Sequence, residues 1–90
     1  MTIADAMIFC LQATERTTVW WGDCDLLDAC AHRAGLYDRP GNTHPLAVHQ
    51  RILRALDQHP AFHKAYIVHE HHRTRCFTYI APSTARPPAL

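Results

Sequence analysis

The chain has 90 residues, of which nine are Lys or Arg and eight are Asp or Glu, and 48% of its side chains are hydrophobic. This composition excludes a disordered or membrane-embedded chain, and the length excludes a second ordinary domain. The first residues show no basic segment followed by a long apolar run, so we expect a cytoplasmic protein. In a reducing compartment the four cysteines are expected to be small buried thiols rather than disulfides.

Charge is distributed unevenly along the chain. Residues 1 to 38 hold two basic and six acidic side chains, a net charge of −4, whereas residues 39 to 90 hold seven basic and two acidic side chains, a net charge of +5. Seven of the eight histidines also lie in the second part. Such an asymmetry favours an acidic partner for the basic part, most commonly nucleic acid. Chance clustering on a solvated surface is the alternative.

The N-terminal part predicts a helix followed by a short strand. Thr2 and Asp5 have the spacing of a capping box, and the apolar side chains that follow share one helical stripe. We therefore predict a first helix over residues 3 to 14. The β-branched and aromatic side chains between residues 17 and 21 predict a strand of about four residues.

Two further helices are predicted, separated by a loop rich in turn-forming residues. The second helix is expected to begin after Asp23, as its N-cap, and to end at Gly35. The third runs from Pro45 to Gln58 and has one apolar side and one side with arginines. His49 falls on the apolar side, where a hydrogen-bonded core histidine is favoured over a ligand or a catalyst.

The C-terminal part predicts a β-hairpin and a tail. Alternating side chains indicate strands over residues 62 to 69 and 75 to 81. Residues 70 to 74 lack the Asn-Gly pair of a two-residue turn, so we expect a longer exposed loop. The Pro-rich residues 82 to 90 predict a disordered tail, which leaves a domain over residues 1 to 81.

This order of elements over residues 1 to 81 resembles that of the winged helix-turn-helix superfamily. The resemblance is one of pattern, without a sequence motif of a particular family. It implies an α+β domain with three helices, a short strand after the first helix and a C-terminal hairpin. In that superfamily the third helix commonly enters the major groove of DNA and the hairpin, or wing, touches the backbone. Since these are the basic elements here, we expect a small sequence-specific DNA-binding protein, a transcriptional regulator.

The expected DNA contacts come from the exposed face of the third helix and from the wing. On the helix, Gln50 can pair with adenine and Arg51 with guanine, and the wing supplies cations for phosphates. The expected DNA-binding residues are His44, Gln50, Arg51, Arg54, His71, His72, Arg73 and Arg75. An ordinary solvated helix face is the alternative interpretation of the arginines.

A second expected surface is apolar. Phe9 lies off the apolar stripe of the first helix, and Trp20 and Trp21 point to opposite sides of a strand, so that one is core and the other exposed. Such a patch predicts a homodimer. The expected interface consists of Ile3, Met7, Phe9 and Trp20. The alternatives are a larger core around the first helix, or a protein-interaction module of phage or mobile-element type that binds and inhibits a host protein.

Motifs for catalysis and metal binding are missing from the sequence. There is no Cys-x-x-Cys pair, Gly-rich phosphate loop or nucleophile elbow. The run His69-Glu70-His71-His72 differs from the His-Glu-x-x-His spacing of zinc proteases. We therefore expect no enzymatic activity, no metal and no cofactor.

Overall fold

The computed structural model of the chain describes residues 1–38 and 44–81. In chain order the elements are α1 (Ile3–Ala13), β1 (Thr18–Trp20), α2 (Cys24–Arg33), a 3-10 turn (Leu36–Asp38), α3 (Pro45–Asp57), β2 (Phe62–His69) and β3 (His72–Tyr79). The strands form one antiparallel sheet in the order β1-β3-β2. The α+β class, with three helices, a short strand and a hairpin, is confirmed. The predicted tail, residues 82 to 90, and residues 39 to 43 of the predicted loop lie outside the described residues.

The helix ends follow the sequence signals, with one difference. The hydroxyl of Thr2 accepts a hydrogen bond from the Asp5 backbone N–H at 3.1 Å, which caps α1 as predicted. Asp23 stands at the N-cap of α2, but its carboxylate makes no capping bond. It accepts instead from the Trp20 N–H at 3.1 Å and from Arg16 at 2.9 Å, and so ties the end of β1 to α2. Gly35 follows α2 with a φ of 70°, as predicted for a C-terminal glycine.

The core lies between the three helices and the inner face of the sheet. Its largest fully buried side chains are Met7, Leu11, Val19, Leu27, Cys30, Leu36, Ile52 and Leu56. Cys10, Cys30 and Cys76 are buried free thiols, as predicted, and burial raises the pKa of Cys30 to about 12. The prediction of a buried thiol is wrong for Cys24, which is exposed at the start of α2.

The hairpin turn differs from the prediction. Only Glu70 and His71 separate the strands, and both have a left-handed backbone, with φ values of 50° and 66°. His69 pairs directly with His72, so the longer loop predicted over residues 70 to 74 is wrong. Two-residue turns with positive φ match the twist of a hairpin, and pairing along the whole of both strands offsets the conformational cost of the turn.

A turn of this geometry predicts that better turn residues stabilise the protein. The double substitution Glu70→Asn, His71→Gly is expected to raise the free energy of unfolding by about 1 kcal/mol, because Asn and Gly adopt positive φ with less strain. Urea unfolding with an unchanged slope measures this. The control His72→Gly, in the extended backbone of β3, is expected to cost about 1 kcal/mol. A lower free energy of unfolding in the double variant would contradict the positive φ values of this turn.

Candidate nucleic-acid interface

The eight residues expected to contact DNA are all exposed, but they lie in three places. His44 is the N-cap of α3, and Gln50, Arg51 and Arg54 lie on the exposed side of that helix. His71 is in the hairpin turn. The remaining three belong to β3 rather than to a loop: His72, Arg73 and Arg75.

A groove of about 560 Å³ lies between α3 and the hairpin. Its lining residues come from α3, from both hairpin strands and from the segment after β1, and they are Trp21, Leu53, Arg54, Asp57, Tyr66, Arg73, Arg75 and Phe77. The groove brings together Arg54, Arg73 and Arg75 from the predicted set. The other five predicted residues do not line it.

Strand alternation explains which side chains of β3 reach the groove. Arg73 and Arg75 share a face with the buried Phe77, because residues two apart in a strand point to the same side. His72 lies on the opposite face by the same rule. A ligand in the groove therefore meets the arginines without that imidazole, and a contact of His72 with DNA stays a prediction.

One acidic side chain, Asp57, lines the groove among the residues that the structure describes. The Lys64 ammonium lies 2.9 Å from its Oδ1, and an Arg75 guanidinium nitrogen lies 3.8 Å from the same atom. The Lys64 ammonium at this distance, followed by the charge of Arg75, lowers the pKa of Asp57. The carboxylate is therefore ionised and neutralised by its neighbours, which leaves the groove with an excess of positive charge from arginines.

Two large aromatic side chains that line the same groove are partly exposed to solvent. Trp21 is 53% exposed and Tyr66 is 55% exposed. The guanidinium carbon of Arg73 lies 4.5 Å from the Tyr66 ring centroid, a cation–π contact. The indole of Trp20 meets Trp21 edge-on, with ring centroids 5.4 Å apart. The groove thus combines π faces with cations.

Neither tryptophan of the pair lies in the core. The prediction that one of the two tryptophans is in the core is wrong, because Val19 is the buried residue of the three-residue strand β1. Trp20 is half-buried, with its ring 4.8 Å from that of His69. Its indole also lies against Gly22, where an added Cβ would approach the ring to 2.4 Å.

One of the four residues of the predicted dimer interface is buried. Met7 is fully buried in the core, so its side chain offers nothing to a partner and this assignment is corrected. Ile3 is half-buried and packs against the same core. Phe9 is 45% exposed, and the Arg33 guanidinium carbon lies 3.2 Å from its ring centroid. Of the predicted set, Phe9 is the apolar side chain that α1 presents to solvent.

A polar cluster fixes α3 against α2. His49 is buried, as predicted, and its Nε2–H donates to Asp28 Oδ1 at 2.6 Å, the same atom that accepts from the Tyr37 hydroxyl at 2.6 Å. The hydrogen bond from Tyr37, followed by that from His49, lowers the pKa of Asp28. The bond between Tyr37 and Asp28 also raises the pKa of Tyr37 to about 12. The cluster joins α2, the 3-10 turn and α3, and so sets the position of the helix that borders the groove.

No group of three or more His, Cys, Asp or Glu side chains within residues 1–38 and 44–81 is arranged to hold a metal ion. Nor does any helix in those residues have the length and apolar character that crossing a membrane requires. Comparisons with protein-family models, with curated proteins and with solved structures found no match to this chain.

Proposed function

We propose that the chain is a winged helix-turn-helix protein that binds duplex DNA sequence-specifically and acts as a transcriptional regulator. The observation that carries this proposal is the convergence of Arg54 from α3 with Arg73 and Arg75 from the hairpin on one groove. The order of the elements and the strand order β1-β3-β2 are compatible with the winged-helix layout. The basic residues of two separate elements thus lie where one polyanion reaches both.

Each element has its own part in the proposed complex. The exposed side of α3 enters the major groove, where Gln50 and Arg51 read base edges. The hairpin lies along the phosphate backbone, with Arg73 and Arg75 as its cations. The cluster of Asp28, Tyr37 and His49 holds α3 at its angle to the rest of the domain. Affinity then comes mainly from the hairpin and specificity from the helix.

Fluorescence anisotropy with labelled duplexes tests this function. After selection of a preferred sequence from a random pool, Arg51→Ala is expected to lose about 1 to 3 kcal/mol of discrimination against other sequences. The control Arg33→Ala removes another exposed cation, which packs on Phe9 away from α3, and it should keep the preference. Equal weakening on all sequences would make Arg51 a phosphate contact. No binding to any duplex would reject the function and favour a protein-interaction module.

We also propose a homodimer through α1. Phe9, the exposed apolar side chain of the predicted set on that helix, is the centre of its interface. Phe9→Glu is expected to give a folded monomer at tens of micromolar, whereas the unchanged protein sediments as a dimer. The substitution also removes the contact with Arg33, which at an exposed site is worth about 0.5 to 1 kcal/mol, too little to unfold the domain. A wild-type protein that is already monomeric would reject the dimer.

A further inference from the structure

The groove between α3 and the hairpin contains exposed aromatic rings for which duplex binding has no use. Trp21 and Tyr66 are each more than half exposed, and both line it. In a duplex the faces of the bases are covered by their stacked neighbours, so an aromatic side chain finds no free base face to stack on. Only an unpaired base offers its π face to a protein.

The size of the groove matches this kind of ligand. Its volume of about 560 Å³ lies within the range of sites for single small ligands. It is bordered by protein on two sides, by α3 and by the hairpin, so a duplex is too wide to enter it and meets only the exposed arginines that line it. One or two nucleotides of a single strand fit the available space.

The charges complete a nucleotide site. Arg73 and Arg75 lie beside the aromatic rings, where the phosphates of a strand with stacked bases run. Arg54 borders the same space from α3. Asp57 would repel a phosphate, but Lys64 at 2.9 Å neutralises it without itself lining the groove. Lys64 is the nearer partner of Asp57, whereas Arg75 lies 3.8 Å away, so the arginines keep an excess of positive charge for an anionic ligand.

Building on the proposed affinity for nucleic acid, we propose that this groove binds an unpaired nucleotide, with its base stacked on Trp21 and its phosphate held by Arg73 and Arg75. Tyr66 is the lesser platform, since Arg73 already lies over its ring at 4.5 Å. DNA with a single-stranded extension then engages the groove and the outer side of α3 together. The protein prefers such a junction to a blunt duplex.

The experiment compares three probes by anisotropy. They are an oligodeoxythymidylate of about twelve nucleotides, an abasic deoxyribose-phosphate strand of equal length and a blunt duplex of equal length. The thymidylate strand is expected to bind about tenfold more tightly than the abasic strand, because stacking of a base on an aromatic ring adds to the charge contacts. Equal binding of the two single strands would overturn the proposal, since charge alone would then explain the affinity.

Variants of Trp21 identify the stacking side chain. Trp21→Ala is expected to weaken thymidylate binding about tenfold, and Trp21→Phe, which keeps a ring, to restore most of it. Ile80→Ala is the matched control, because Ile80 is a large apolar side chain, 53% exposed, that does not line the groove, and it should change nothing. Thermal unfolding checks that each variant is folded. Unchanged thymidylate binding by folded Trp21→Ala would overturn the proposal.

The two proposals fail in different ways. If duplex binding is absent while thymidylate binding depends on Trp21, the groove site stands and the duplex-binding function falls. If duplex binding depends on Arg51 but thymidylate binding ignores Trp21, the function stands and the groove site falls. A poly-glutamate peptide that competes with thymidylate as well as unlabelled thymidylate does would assign the groove to acidic peptides and overturn the nucleotide site.

Discussion

The affinity of the protein for a mixed-sequence DNA duplex is expected to fall about 100-fold as the salt concentration rises from about 50 to 200 mM. Each phosphate that a cation neutralises releases condensed counterions, and the slope of log affinity against log salt is about −0.9 per phosphate. The four exposed cations assigned to the interface are Arg51, Arg54, Arg73 and Arg75. On a mixed-sequence duplex, where Arg51 has no preferred guanine to read, each of the four meets one phosphate, so the slope is about −3.6, which gives the stated loss.

Substitution of the hairpin arginines tests where the charge acts. Arg73→Ala, Arg75→Ala together are expected to flatten the slope by about two units, because two phosphate contacts disappear. The control pair Arg16→Ala, Arg33→Ala removes the same charge from exposed sites that contact Asp23 and Phe9 instead. If the slope flattens equally in both double variants, the effect comes from the net charge of the protein and not from contacts of the hairpin arginines. A slope unchanged by the hairpin pair would place DNA away from the hairpin.

Asp28→Ala is expected to lower the free energy of unfolding by about 2 to 3 kcal/mol, or about 10 °C or more in Tm. The carboxylate accepts from both Tyr37 and His49, and its loss leaves the buried imidazole N–H without this partner. The Asp28 side chain is itself 45% exposed, so water replaces part of what is lost, which keeps the expected cost below that of removing a fully buried partner.

Control variants isolate the cluster from a general effect of charge. Asp25→Ala removes an exposed carboxylate in the first turn of the same helix and is expected to cost less than about 1 kcal/mol. Tyr37→Phe removes one of the two donors and is expected to cost about 1 kcal/mol. Urea unfolding of the three variants gives the ranking. An equal cost for Asp25→Ala and Asp28→Ala would show that the cluster adds nothing beyond charge.

The pH dependence of this stabilisation has a defined sign at each end. The pKa of Asp28 is lowered in the folded protein, so its contribution is present above the unfolded value near 3.9 and is lost as the pH falls through the folded pKa. The pKa of Tyr37 is raised to about 12, so its contribution is present below about 10 and is lost as the pH rises toward about 12. The stability difference between the wild type and Asp28→Ala should therefore shrink at both extremes.

The helices were predictable because their signals are local. The third helix, predicted from Pro45 to Gln58, is observed from Pro45 to Asp57 with Gln58 as its C-cap. Its apolar residues recur about every 3.6 residues, and this spacing can be read from the local sequence alone. The buried, hydrogen-bonded state of His49 was also predictable from that period, but its partner Asp28 was not, because the two residues come from different helices.

The groove could not be predicted, since it depends on strand register. Tyr66 stands opposite Arg75, and this pairing follows from the two-residue turn at Glu70 and His71. Neither residue is Gly or Asn, so the sequence gives no local sign of positive φ there. A longer loop would leave the register open and place Arg73 outside the strand. Trp21 was also missed as a groove residue, because its position depends on how β1 meets β3.

The ion pair between Lys64 and Asp57 also bears on the solubility of the protein. β2 is an outer strand of the sheet, and its free edge offers unpaired backbone groups to any other extended chain. Lys64 sits in this strand, 48% exposed, with its ammonium drawn toward α3. A further strand added along β2 would strip water from that charge, which resists edge-to-edge aggregation. The lysine that neutralises Asp57 thus also disfavours growth of the sheet along the edge of β2.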